Sequence, residues 1–181
     1  MRIIPNETIA LIIDYQEKLV PVMSVKEQLI ENTSKLVKGL NILNIPTLYS
    51  QQYTKGLGMT IPELVETTEG DFTYFDKTSF SCVEDPAIIK AIESSNCKSI
   101  IVCGIESHIC VLQTVIDLLA KNYQVYLVTD CISSRKENDT HIAMKRATSE
   151  GALLTTCESL LFELTASAKS ESFRAISQLI K

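Results

Sequence analysis

Histidine is almost missing from this chain: two occur in 181 residues, His108 and His141. A histidine-built metal site is therefore excluded, and the six cysteines contain no Cys-x-x-Cys pair. Basic runs and basic–aromatic interleaving are missing too, and with 17 Lys and Arg against 22 Asp and Glu the net charge is −5. That balance gives no reason to expect nucleic acid or an anionic membrane surface as partner. Long apolar runs are also lacking. The opening residues, MRIIPNETIA, carry one Arg and an apolar segment broken by Pro5, so neither a signal peptide nor a membrane span is expected there. Cysteines without a secretory signal read as reduced thiols in a cytoplasmic protein. No internal repeat, low-complexity tract or linker divides the chain, so residues 1–181 are read as one domain. The 45% hydrophobic content is enough for a compact core and an apolar subunit interface, and a homo-oligomer is expected.

The most informative stretch present is SIIVCGIESHICVLQTVIDLL, residues 99–119. Ile100 to Cys103 is a short, β-branched apolar run, as in a strand buried on both faces. Gly104 ends it, and Ser107 stands where a helix wants its N-cap. From Val111 onward the apolar residues fall at helical spacing. The pattern predicts strand, tight turn and helix, with Cys110 in the helix's first turn. Unpaired N–H groups and the positive end of the helix dipole favour a thiolate there.

In chain order, TIALII (8–13) predicts a first strand ending at Asp14, and residues 25–43 a helix stopped at Asn44. A second strand is expected over 47–50, a polar surface loop over 51–60 and a helical turn near 62–65. DFTYFD (71–76) predicts a third strand with Lys77 directly after it. Asp85 and Pro86 form an N-cap and N1 pair for a helix to about residue 94. QVYLVT (124–129) is a fifth strand ending at Asp130, residues 138–150 a helix stopped by Gly151, and 152–155 a sixth strand. The tail from residue 160 is read as two short helices. Alternating strands and helices with short connections predict an α/β fold of three layers, a six-stranded, mostly parallel sheet with helices on both faces. In the order 3-2-1-4-5-6, direction reverses between strands one and four, and ligands bind at the carboxyl ends there. Asp14 and Cys110 would then be neighbours, with Lys77 reaching in from the other side.

Each residue has a plainer reading. Most cysteines are small buried hydrophobes, which suits Cys97, Cys103 and Cys157. Cys82 and Cys131 could border a site without being nucleophiles. Asp14 could be a turn residue and Lys77 solvated surface; His108 could face solvent or act as a base. Other chemistries lack their parts. Gln16 stands where a dehalogenase-type phosphatase needs a second aspartate, Asp14–Tyr15 gives no acidic pair for a phosphoacceptor domain, and no glycine-rich turn follows strand one.

The segments ALIIDYQ, FDKTSFS, GIESHICVLQTVIDLL, VTDCISSR and GALLTT resemble, in order and over almost the whole chain, those of the isochorismatase-like cysteine hydrolases, which include nicotinamidases and N-carbamoylsarcosine amidases. The likeness is greatest to the small, metal-free branch. It implies a triad of Asp14, Lys77 and Cys110: Asp14 takes the thiol proton, Cys110 attacks a carbonyl carbon, and Lys77 holds both in register by charge. It implies an oxyanion site from the main-chain N–H groups of Glu106 and Cys110, and a cis peptide between Ile105 and Glu106. Nicotinamidases bind a metal in the loop after strand two. Here that loop, SQQYTKGLGMT, has no His or Asp, so no metal and no cofactor is expected. Isochorismatase itself cleaves an enol ether without the cysteine, so its reaction is not carried over. Pocket walls are expected from Gln16, Leu19, Phe80, Ile105 and Ile109, with the 51–60 loop, Ser133, Ser134 and a neighbouring subunit. The expected function is hydrolysis of a small amide or carbamoyl C–N bond; the alternative is a catalytically silent family member acting as an oligomeric interaction protein.

Overall fold

The computed structural model describes residues 2–181. Its frame is a six-stranded sheet in the order β3-β2-β1-β4-β5-β6, every neighbouring pair parallel. The strands are β1 (Thr8–Ile13), β2 (Thr47–Gln52), β3 (Phe75–Lys77), β4 (Ser99–Ile105), β5 (Gln124–Ser133) and β6 (Leu153–Thr155). Because strand side chains alternate, β1 sends Ala10 and Ile12 to one face and Ile9, Leu11 and Ile13 to the other. The first face is covered by α1 (Lys26–Ile42), α3 (Pro62–Val65), α7 (Cys157–Thr165) and α8 (Phe173–Ile180), with α2 (Thr54–Leu57) a single turn in the preceding loop. The second is covered by α4 (Pro86–Ser94), α5 (Leu112–Ala120) and α6 (Glu137–Glu150). Burial on both faces explains why β1 and β4 read as unbroken apolar runs.

Helix ends follow their local chemistry. The Asp85 carboxylate accepts the Ala87 and Ile88 N–H groups at 2.9 and 3.1 Å, with Pro86 at N1 of α4. Gly151 (φ 110°) closes α6. Gly104 matters for the site: it has φ 148°, and a Cβ there would lie 2.5 Å from Ile13. Only glycine lets the end of β4 lie this close to the end of β1, where Asp14 begins.

Four expectations need correcting. Lys77 lies inside β3, which pairs with β2 over Phe75–Lys77 only. The aromatic alternation upstream has another origin: Phe72 packs on Tyr49 at 5.0 Å and stacks with Tyr74 at 6.0 Å. β5 runs to Ser133, so Asp130 and Cys131 are within it and not at its end. A register shift between Val102 and Gly104 lets β4 follow the longer strand. The 51–60 segment is no simple surface loop, since Gln51 is buried in β2 and the turn α2 follows. Finally, Ser107 caps nothing. Residues Ser107–Val111 form a π-helical turn before α5, Glu106 takes the N-cap position, and the buried Ser107 hydroxyl has no hydrogen-bond partner.

Candidate active site

Asp14 stands at the carboxyl end of β1 in the left-handed region (φ 58°), a conformation that aspartate tolerates better than most residues. Its N–H donates to the Ser50 carbonyl at 3.1 Å, and the Ser50 hydroxyl donates to its Oδ1 at 2.8 Å. Lys77 Nζ donates to Oδ2 at 2.7 Å, with both side chains 0% exposed. The ammonium also donates to Gln52 Oε1 at 2.7 Å and to the carbonyls of Phe80 (3.2 Å) and Ser79 (3.3 Å). A buried lysine is tolerable only when paired and fully hydrogen-bonded, and this one is. Burial alone would lower its pKa. The charge of Asp14, with the nearby Cys82 and Cys110, overcomes that and holds it above the usual lysine value.

Cys110 faces this pair from the π-helical turn and is 6% exposed. Its thiol pKa is pushed strongly up, first by burial and then by the Asp14 charge; Lys77 opposes, and a hydrogen bond to Asp14 adds to the rise. Desolvation thus exceeds what the cation and the helix start supply in the other direction. Asp14, charged and within reach of that thiol, is placed to accept its proton. The three residues drawn from distant parts of the chain do converge, and the Ile105–Glu106 peptide bond beside them is cis.

The remaining candidates sort differently. Gln16 is fully buried, and its amide is spent on backbone: Oε1 accepts from Gln52 N–H (2.6 Å), and Nε2 donates to the Gln52 and Gly58 carbonyls (3.0 and 2.8 Å). It shapes the 52–58 segment and has no polar atom spare for a ligand. Ile105 lies in the core at 0% exposure. Leu19 and Ile109 are half-buried, each packed against a different sheet-face core. Phe80 is 52% exposed, next to carbonyls that hold Lys77. The Glu106 carbonyl accepts the Ile109 and Val111 N–H groups (3.1 and 3.3 Å). Its carboxylate accepts from Arg135 N and Nε (3.1 and 3.2 Å). Cys82 touches Ser50 Oγ at 3.6 Å, and burial pushes its thiol up to about 11. Cys131 is buried on the α1 side, where its carbonyl accepts from Tyr15 Oη. Asp130 accepts the Cys157 N–H at 2.8 Å and so fixes the start of α7. His108 pairs with Ser134 Oγ (2.9 Å) and approaches Asp139 (4.0 Å), so its ring is engaged away from the thiol. Among the described residues no group of three or more His, Cys, Asp or Glu side chains could hold a metal ion, and no helix is long and apolar enough to cross a membrane.

Sequence reasoning missed Ser50 and Gln52, which hold the aspartate and the lysine. Gln52 lies in the segment read as the 51–60 loop; only because β2 runs on to Gln52 do the two, two apart on a strand, share a face.

Comparison with known proteins identifies the family. Residues 8–159 match the isochorismatase domain model. A relative from Mus musculus, isochorismatase domain-containing protein 2A, is 37% identical over 99% of this chain and 85% of its own. The MAR1 ribonuclease structure from Caenorhabditis elegans superposes with TM-score 0.94 at 36% identity, covering 99% of this chain and 92% of that one. The YcaC gene product of Escherichia coli, described as an octameric hydrolase of unknown specificity, shares the fold at TM-score 0.93 and 22% identity, covering 99% and 89%. With the domain matched over most of its length, this chain belongs to the isochorismatase family.

Proposed function

We propose that this protein is a cysteine hydrolase that cleaves a small amide or carbamoyl C–N bond through a thioester on Cys110. The observation that carries the reading is the fully buried Lys77–Asp14 pair set against the buried thiol of Cys110. A buried charge pair is expensive for stability alone, and here it faces Cys110 in the π-helical turn that follows β4. In the first half-reaction Asp14 takes the Cys110 proton as sulfur attacks the carbonyl carbon. The N–H groups of Glu106 and Cys110 receive the oxyanion, each donor contributing on the order of 3 kcal/mol. Asp14 returns the proton to the leaving nitrogen as the C–N bond breaks. A water then attacks the thioester carbonyl carbon and gives a proton to Asp14. As the C–S bond breaks, that proton passes to the departing sulfur. Lys77 stays charged throughout and balances whichever of Asp14 and Cys110 is anionic.

No cofactor or metal enters this scheme. The substrate is a small molecule, and assembly into a homo-oligomer is part of the reading, supported by the octameric YcaC neighbour and by exposed Tyr53 and Phe80 flanking Lys77. The name of the C. elegans neighbour favours a second reading, RNA cleavage. A net charge of −5 without a basic run speaks against it. The test is a screen of small amides and carbamoyl compounds for ammonia or amine release, with an RNA arm, run beside Cys110→Ala. Amide turnover that disappears in the variant is expected; turnover that survives it, or RNA cleavage alone, overturns the reading.

A further inference from the structure

Beside the three residues of the proposed mechanism stands a fourth that touches the base directly. Side chains alternate along β2, so Ser50 and Gln52 point one way while Gln51, bonded to Thr60 Oγ1 at 3.0 Å, points the other. Ser50 and Gln52 clasp the buried ion pair from that side, Ser50 on Asp14 Oδ1 (2.8 Å) and Gln52 on Lys77 Nζ (2.7 Å). Ser50 holds Asp14 a second time through its carbonyl. It is 1% exposed, so no water competes for its hydroxyl. A serine hydroxyl has one proton and rotates freely; its direction is set by whatever else bonds to the oxygen. Here that group is the Cys82 thiol, which donates to Ser50 Oγ at 3.6 Å and, buried, keeps its own proton.

We propose that Ser50 is a positioning residue for the reaction: its hydroxyl, directed by the Cys82 thiol, fixes the rotation of the Asp14 carboxylate so that it faces Cys110. The groups that face Asp14 are then Ser50 from β2, Lys77 from β3, Cys82 from the turn at Cys82–Glu84 and Cys110 from the π-helical turn. One oxygen of the carboxylate is held by a neutral donor and the other by a cation. Without Ser50 the group loses its fixed donor on Oδ1 and can swing about Lys77. This inference rests on the hydrolase reading for its kinetic consequence, whereas the geometric claim can be read from thiol chemistry alone.

The test compares Ser50→Ala and Ser50→Thr with wild type in two measurements. In amide turnover, Ser50→Ala is expected to lower kcat about tenfold with KM little changed. The acidic limb of its pH profile moves to higher pH, because a carboxylate that loses a donor protonates more readily. Ser50→Thr, which keeps the hydroxyl, restores the profile. In iodoacetamide labelling followed by peptide mapping, the Cys110 midpoint of Ser50→Ala moves to lower pH, as the thiol loses part of its contact with Asp14. Cys82→Ala reads the same chain from its far end and moves both profiles in the same direction by less. Profiles that superimpose on wild type in either measurement overturn the proposal, even if the variant is less stable. If the wild type turns over no amide at all, the hydrolase reading fails, and the labelling midpoint still decides the role of Ser50.

Discussion

Lys77→Met is expected to cost about 3–5 kcal/mol of stability at neutral pH, because it leaves the Asp14 carboxylate buried and uncompensated. Methionine nearly matches lysine in length and keeps the apolar stem, so little of that loss comes from a cavity. The pH dependence separates the electrostatic cause from packing. A stranded buried carboxylate gains from taking up a proton, so the folded variant binds more protons than its unfolded chain and its deficit shrinks as pH falls. The wild type behaves differently at the other end. Its Lys77 pKa is raised in the folded state, with the penalty of burial overcome by the charge of Asp14. The stability this brings is complete below the unfolded lysine value and is lost as pH rises through the folded one. The Lys77→Met, Asp14→Asn double variant should recover much of the loss, since two neutral groups replace both charges. Urea unfolding of the three proteins between pH 5 and 8 measures this. A single variant within about 1 kcal/mol of wild type at every pH would mean that the pair is far less buried than its geometry indicates.

Asp14→Asn is expected to move two properties of Cys110 in opposite directions. Asparagine keeps the shape and accepts the left-handed backbone at position 14, so the turn should survive. The thiol pKa is raised by burial first and by Asp14 second, while Lys77 lowers it. Removing the carboxylate's charge takes that rise away and leaves the Lys77 ammonium, whose nearby potential anions are then Cys82 and Cys110. The thiol should then titrate lower, and alkylation near neutral pH should speed up about tenfold for each unit of that fall. Turnover should fall on the order of 100- to 10,000-fold, because the group that takes and returns the proton is gone. Were Asp14 only an anchor for Lys77, both rates would fall together.

The outline of the fold was legible because burial leaves a plain trace. Strands covered on both faces must be apolar throughout, and β1 and β4 are. The order of the sheet alone then brings Asp14, Lys77 and Cys110 together at the carboxyl ends of the strands. What stayed hidden depended on pairing length and on which neighbour takes each donor. β5 runs four residues past Thr129 to Ser133 because β4 continues through Gly104 and pairs with it there, which periodicity within β5 does not reveal. The cap expected of Ser107 failed because the π-helical turn begins at Ser107 itself and puts Glu106 in that place. Gln16 looked like a pocket residue because it follows Asp14, but its amide matches backbone groups of residues 52 and 58 that a sequence does not place beside it. The largest influence on the Cys110 pKa was also out of reach, since a helix start, a cation and a carboxylate are legible in sequence but the extent of burial is visible only in three dimensions.

The central claim is a covalent thioester on Cys110. It is tested most directly by mixing the protein with p-nitrophenyl acetate, quenching in acid within seconds and mapping the acyl mass by peptide mass spectrometry. An acetyl group on the Cys110 peptide, released by hydroxylamine and missing from Cys110→Ala, is the expected result. An acetyl group confined to Cys82 or Cys131, or ester turnover that persists in Cys110→Ala, would contradict it.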